Sequence, residues 1–255
     1  MKDLRRAPDE FAAAALRRPS GITVRAELDR EPRQGRRAVG AIILFGPPGA
    51  GKGTQARALA AEFGVPWIET GAMIRAEVEA GTKIGKLVEE GLAAGQLTPD
   101  KAVNELARAR LQKRDCRRGA ILDGYPRTVP QARELGRLLA AKCLPVTVFE
   151  LRIGYTEFIE RISGRQLCPR CGAIYHRVTK PPRTAGSCDV CNARLIARRD
   201  DNAESGSVRW QAYEARTRPV LDVFRGQGYP IHALDGGSSR EEISRQLREL
   251  IGQDA

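Results

Sequence analysis

Aromatic residues make up only 5% of this sequence, histidine occurs twice, at His176 and His232, and no apolar run approaches the ~18 residues that a membrane-crossing helix needs. Scarce aromatics argue against a stacking platform for nucleic acid bases. Two histidines leave little room for a catalytic triad or a histidine-rich metal centre. The apolar stretch from Phe11 to Leu16 is too short even for the core of a secretion signal, so a cytoplasmic chain with no membrane partner is expected. Without a secretion signal the six cysteines should be thiols, and clustered thiols point to metal ligation. Cys116 and Cys143 stand alone and read as small buried residues. Chemistry must then rest on Lys, Arg, Asp and a bound cation. Charge is plentiful: 43 Lys+Arg against 31 Asp+Glu give a net charge of +12, which favours anionic partners.

With 255 residues and 42% hydrophobic content, the chain can form one large domain carrying an insertion. Residues 1–40 hold ten basic and six acidic residues and no sustained period, and are expected to be a disordered, dispensable leader. From Ala41 the texture changes. Apolar runs at Ala41–Phe45, Ala120–Leu122, Val146–Leu151 and Pro230–Leu234 read as buried strands. Helical stretches lie between them, among them Lys52–Phe63 and Val129–Ala141. Such alternation predicts a mostly parallel α/β sheet covered on both faces. Ser239 with Glu242 forms a capping box ahead of a last helix carrying Ile243, Leu247 and Leu250. Between Arg165 and Arg199 the alternation stops, and a Cys-rich module intrudes.

Gly46-Pro-Pro-Gly-Ala-Gly-Lys-Gly-Thr54 follows the first strand and opens a helix, the context in which glycine-rich backbone converges on phosphate oxygens and a lysine adds positive charge. The general pattern wants Ser or Thr directly after the lysine, to hold Mg²⁺. Here that position is Gly53 and the hydroxyl comes one later, at Thr54, so the metal must be held by other means. Asp123 ends an apolar strand, which would aim its carboxylate into the crevice at the sheet's carboxyl end and suit it to orient Mg²⁺ through water. The alternative is a turn-capping role beside Gly124.

The phosphate loop resembles that of adenylate kinases and their nucleoside monophosphate kinase relatives. So do Thr70-Gly-Ala-Met-Ile-Arg75, Leu122-Asp-Gly-Tyr-Pro-Arg-Thr128, and Arg198-Arg-Asp-Asp201 with Arg209. These segments fall in the family's order over residues 41–255. The resemblance implies a P-loop NTPase-type fold with a helical AMP-binding insert at about 69–98 and a lid at about 165–200. It implies the reaction ATP + AMP = 2 ADP, with Mg²⁺ accompanying ATP, in a monomer that binds no nucleic acid. By the same resemblance, Gly49, Ala50, Gly51, Lys52, Gly53 and Thr54 hold the ATP phosphates, with Arg161, Arg165 and Tyr175 near the ATP side. Arg165, Arg198 and Arg209 converge on the transferring group, and the last two also face AMP. Arg75 and Arg127 hold the AMP phosphate, where a planar fork suits better than a lysine. Thr70, Gln96, Leu97, Thr98, Gly124, Tyr125, Pro126 and Gln131 surround the AMP base and ribose. Lys52, Asp123, Arg127, Arg165, Arg198 and Arg209 form the expected catalytic set.

Two positions depart from the family pattern: Ala72 replaces an Asp, and Glu69 stands where a small hydroxyl is common. Glu69 or a neighbouring hydroxyl is expected to cap the helix in place of the missing carboxylate.

Cys168-Pro-Arg-Cys171 and Cys188-Asp-Val-Cys191, sixteen residues apart, carry the signature of a closed structural zinc site. Asn192 after the second pair can take the left-handed backbone that Gly172 takes after the first. His176 is a possible but redundant ligand. Two other functions stay open on sequence: a kinase acting on UMP or CMP with the same fold, against which the long lid counts, and a zinc ribbon binding nucleic acid, against which the lone aromatic in the insert, Tyr175, counts.

Overall fold

The computed structural model describes residues 39–94, 96–197 and 201–254, so Arg198 and the leader up to residue 38 lie outside the described residues. Strand β1 (Gly40–Phe45) leads through the glycine-rich loop into α1 (Lys52–Phe63). The short β2 (Trp67–Glu69) follows, then α2 (Thr70–Glu79), α3 (Lys83–Ala93) and α4 (Asp100–Leu111). Next come β3 (Gly119–Asp123), α5 (Val129–Ala140), β4 (Val146–Arg152) and α6 (Tyr155–Ser163). An antiparallel pair, β5 (Arg165–Leu167) and β6 (Ile174–His176), marks the inserted module. After it, α7 (Ala203–Ala212) runs through a π-helical turn at Tyr213–Thr217 into α8 (Val220–Gly226), and β7 (Ile231–Asp235) and α9 (Arg240–Asp254) close the fold.

Five strands form one parallel sheet in the order β2-β3-β1-β4-β7. Alternation along β1 explains why both faces are covered. Ala41, Ile43 and Phe45 pack into one core with Leu135 and Leu139 of α5 and Phe224 of α8. Ile42 and Leu44 point the other way, onto Ala56 and Leu59 of α1 and Leu247 of α9. Strands buried on both sides need continuous apolar runs, and those runs made them legible. β1 and β3 are neighbours whose following helices cross to opposite faces, so a crevice opens between their carboxyl ends.

Helix ends follow their expected chemistry. Thr128 Oγ1 accepts from the Gln131 amide at the start of α5, and Thr82 accepts from Gly85 at the start of α3. At the start of α9 the Glu242 amide donates to Ser239 Oγ, but only that half of the capping box is made between the two residues. The Glu242 carboxylate is taken up by Arg245 and Gln246 one turn on. Cys116 is buried, as expected, but Cys143 is exposed. It sits past the end of α5 with φ 51°, in the left-handed turn that terminates the helix, a position on the surface by construction.

Candidate active site

The loop between β1 and α1 is shaped by close backbone approach. At Gly46, φ is 137° and a Cβ would lie 2.3 Å from the Leu151 carbonyl oxygen, so no side chain fits. The N-cap of α1, Gly51, carries no side chain to satisfy the helix's first amides, and the first turn holds no acid. A helix start left this way is a site for an anion. Lys52 folds back over the loop, its Nζ donating to the Gly46 and Pro47 carbonyls at 2.8 Å each. Burial pushes its pKa down to about 8; Asp123 opposes that, while Arg127, Arg209 and Arg165 add to it. Bound phosphates should restore the ordinary lysine range, so nucleotide binding should take up protons near pH 8, approaching roughly half a proton at that pH if Lys52 is half charged beforehand. Calorimetry of ATP binding in buffers of different ionisation enthalpy measures this uptake. Uptake that is unchanged in Lys52→Ala would assign it elsewhere.

Asp123, at the end of β3, is buried, and burial raises its pKa, partly offset by Lys52. Its Oδ2 lies 3.2 Å from where a Cβ on residue 53 would stand, so a Ser or Thr at that position would crowd the carboxylate. Glycine after the lysine therefore makes room for Asp123. Beyond it, Gly124 adopts φ 77°, and its carbonyl accepts from both Thr70 Oγ1 at 2.8 Å and Arg127 Nε at 2.9 Å. The Tyr125–Pro126 peptide is cis. The Arg127 backbone is held on two sides: its amide donates to Gln131 Oε1, and its carbonyl accepts from Thr217 Oγ1 in the π-helical turn. Gln131 and Thr128 share Asp100 as acceptor.

On the opposite wall, Asp201 is almost fully buried and binds Arg165 through both carboxylate oxygens, while Arg209 Nη1 donates to it at 2.9 Å. One carboxylate thus aims guanidiniums from two elements at the phosphate loop. Arg161 reaches the Gly49 carbonyl. The crevice enclosed by these groups measures about 400 Å³, within the range of small-molecule sites.

In the inserted module the four Sγ atoms of Cys168, Cys171, Cys188 and Cys191 lie within 4.8 Å of one another. The two CxxC turns are built alike. In the first, the Cys168 amide donates to Ala173 O and the Gly172 amide to Cys168 O; in the second, Cys188 donates to Ala193 O and Asn192 to Cys188 O, all at 2.8–2.9 Å. Gly172 and Asn192 both take positive φ. Four sulfurs about 2.3 Å from one ion would be roughly 3.8 Å apart, so the cluster suits a tetrahedral metal. His176 is not among these ligands: its Nδ1 accepts from the Val178 and Thr179 amides.

The family model described as adenylate kinase matches residues 44–229. An adenylate kinase of Caldanaerobacter subterraneus subsp. tengcongensis is 41% identical over 211 residues, 82% of this chain and 95% of that protein. One from Thermoanaerobacter pseudethanolicus is 42% identical over 212 residues, 83% of this chain and 97% of its own. One from Methanosarcina barkeri is 41% identical over 211 residues, 82% of this chain and 97% of its own. The chain belongs to the adenylate kinase family.

Of the residues expected in an adenylate kinase site, the crevice is lined by Gly49 to Thr54, Leu97, Asp123 to Arg127, Arg161, Arg165, Tyr175 and Arg209. Tyr175 also turns its hydroxyl inward, accepting from the Asp189 amide and lying 3.5 Å from Cys188 Sγ, which ties the cysteine cluster to the crevice wall. Thr70, Arg75, Gln96, Thr98 and Gln131 do not line the crevice. The Gln131 amide is committed to Arg127 and Asp100.

The expected cap on α2 is not made. Glu69 is the N-cap, yet its side chain accepts no bond from the helix amides. It pairs instead with Arg75 at 2.8 Å, because a guanidinium charge is a stronger partner than a neutral amide. Thr70, the adjacent hydroxyl, is turned to Gly124.

Sequence reasoning assigned no role to Asp201, though it lies inside a matched motif; the signal was an acid among arginines. It also missed Arg57, which lies 5.5 Å over the Trp67 ring and donates to the Cys171 carbonyl at 3.1 Å, joining the cysteine module to the core. Nothing in a pattern of single residues marks such a bridge.

Proposed function

We propose that this chain catalyses ATP + AMP = 2 ADP, with the phosphates of ATP on the Gly46–Thr54 loop and AMP on the side of Arg127 and Arg75. The observation that carries this reading is the convergence of Lys52, Arg127, Arg165 and Arg209 on one crevice at the helix start of α1. An oxygen of the AMP phosphate attacks the γ-phosphorus as the bond from that phosphorus to the β–γ bridging oxygen breaks, so one ADP forms on each side. Charge spreads over the migrating group in such a transfer, and fixed positive charge with in-line positioning is what the site supplies. Arg165 and Arg209, both held by Asp201, are placed to follow that charge, and Arg127 to hold the acceptor phosphate.

Mg²⁺ would accompany ATP and neutralise its phosphate charge. Asp123, at the end of β3 beside this loop, is the residue suited to hold it, through water. We assign the cysteine cluster to structural Zn²⁺: four thiolates close a tetrahedron and leave no open position. The module has only a small apolar core of its own, around Cys168, Tyr175, Cys188 and Leu195, so metal supplies folding free energy there. A cytoplasmic monomer that binds no nucleic acid fits this reading. Among the described residues the cysteines are free thiols and no helix is long and apolar enough to cross a membrane.

The deciding experiment is an assay of the purified protein with ATP and each of AMP, UMP, CMP and GMP, with zinc content measured on the same sample. ADP formation with AMP and about one zinc per chain is the expected result. Activity confined to a pyrimidine acceptor would refute the AMP assignment, and a metal-free native protein would refute the zinc assignment.

A further inference from the structure

An acceptor pocket built on Arg75 and Arg127 leaves Glu69 without a role, although Glu69 lines the crevice and contacts one of those two arginines. An acid at a helix N-cap ordinarily accepts from the helix's own first amides. Glu69 does not; its carboxylate reaches past the first turn of α2 to Arg75 Nη2, 2.8 Å away.

The surroundings show what the pair sits on. A Cβ on Gly71 would lie 3.2 Å from Arg75 Nη1 and 3.9 Å from Arg127 Nη2, so the two guanidiniums meet over the same patch of bare backbone. Two forks converging there can share one phosphate, each donating to its oxygens. In the structure one of those forks already holds an anionic oxygen. Both partners retain about a quarter of their side-chain exposure, so an incoming ligand can reach them.

We propose that Glu69 is an internal stand-in for the acceptor's phosphate: it occupies the Arg75 fork until a nucleoside monophosphate displaces it, and so lowers affinity for the acceptor much more than affinity for the donor. This rests on the assignment of Arg75 and Arg127 to the acceptor phosphate. A dianionic phosphate outcompetes a single carboxylate for two guanidiniums, yet it must break an existing ion pair to do so. A partly exposed pair is worth up to about fivefold in affinity, and a direct 2.8 Å contact between the charged groups belongs toward the upper end.

Glu69 also lies beside Asp123 in the sheet register and raises that carboxyl's pKa, after burial and against Lys52, so its removal alters the donor side electrostatically. The test therefore reads both ligands. Glu69→Gln keeps the size and removes the charge; Glu69→Ser removes the reach as well. Calorimetry on the full chain, without divalent metal, gives Kd for AMP and for ATP in each variant, with Arg75→Ala beside them. AMP should bind about three- to fivefold tighter in both Glu69 variants, KM for AMP should fall in step, and Kd for ATP should move less than twofold. If both Glu69 variants bind AMP no better than wild type while Arg75→Ala weakens it, the stand-in role is overturned and the acceptor site stands. Equal tightening of ATP and AMP would also overturn it, as a general charge effect. If Arg75→Ala leaves AMP affinity unchanged, the acceptor assignment fails and the proposal fails with it.

Discussion

Replacing Lys52 with alanine should lower turnover by on the order of a hundredfold or more, the usual cost of deleting a preorganised charge that tracks the transferring group. Lys52 is the first residue of α1, and its Nζ already sits within the loop, on the Gly46 and Pro47 carbonyls. It therefore needs little rearrangement to meet a phosphate. Stability should move differently from activity. The folded pKa of about 8 lies below the unfolded value near 10.5, so between those pH values the unfolded state binds more protons and stability rises with pH. Below pH 8 the lysine is charged in both states, and its burial is a net cost to folding. Lys52→Ala should accordingly melt no lower than wild type at pH 7. Steady-state kinetics and thermal melting on the same preparations check both halves. Turnover within threefold of wild type would refute the assigned role, and a large drop in melting temperature would show the loss to be structural.

Replacing Asp201 with asparagine should cost about 3 kcal/mol of stability, because it leaves Arg165 and Arg209 charged and largely buried without their shared carboxylate. Turnover should fall at least tenfold as the two guanidiniums lose their common aim. The two effects are linked through the ligand. Phosphates can take the place of the missing carboxylate, so saturating ATP should raise the melting temperature of Asp201→Asn more than that of wild type. Differential scanning calorimetry with and without nucleotide measures this directly. Equal shifts in the two proteins would mean that Asp201 props the fold without organising the phosphate site.

The core strands could be read from sequence because each is enclosed on two faces and must be apolar along its length. β1 and β4 were placed to within a residue of their ends, as was α1. β2 was not found. Three residues, Trp67 to Glu69, are too few to show a period, and only pairing to Ile121, Leu122 and Asp123 makes them a strand. The phosphate loop, Asp123 and the four cysteines were legible because their chemistry demands fixed residue types at fixed short spacings. Cys143 was misjudged for the opposite reason: a lone cysteine carries no pattern, and its exposure follows from a helix ending three residues earlier.

Sequence alone determined the parts whose function is local. A glycine-rich turn, a CxxC knuckle and an apolar strand each follow from the steric and hydrogen-bonding needs of a few neighbouring residues. Tertiary structure alone decided the partnerships between distant residues. It gave Glu69 to Arg75 rather than to its own helix, set Asp201 between Arg165 and Arg209, and bound Arg57 to the Cys171 carbonyl across 114 positions of chain. Charged side chains have several chemically acceptable partners, and which one wins depends on distances that only the folded backbone sets.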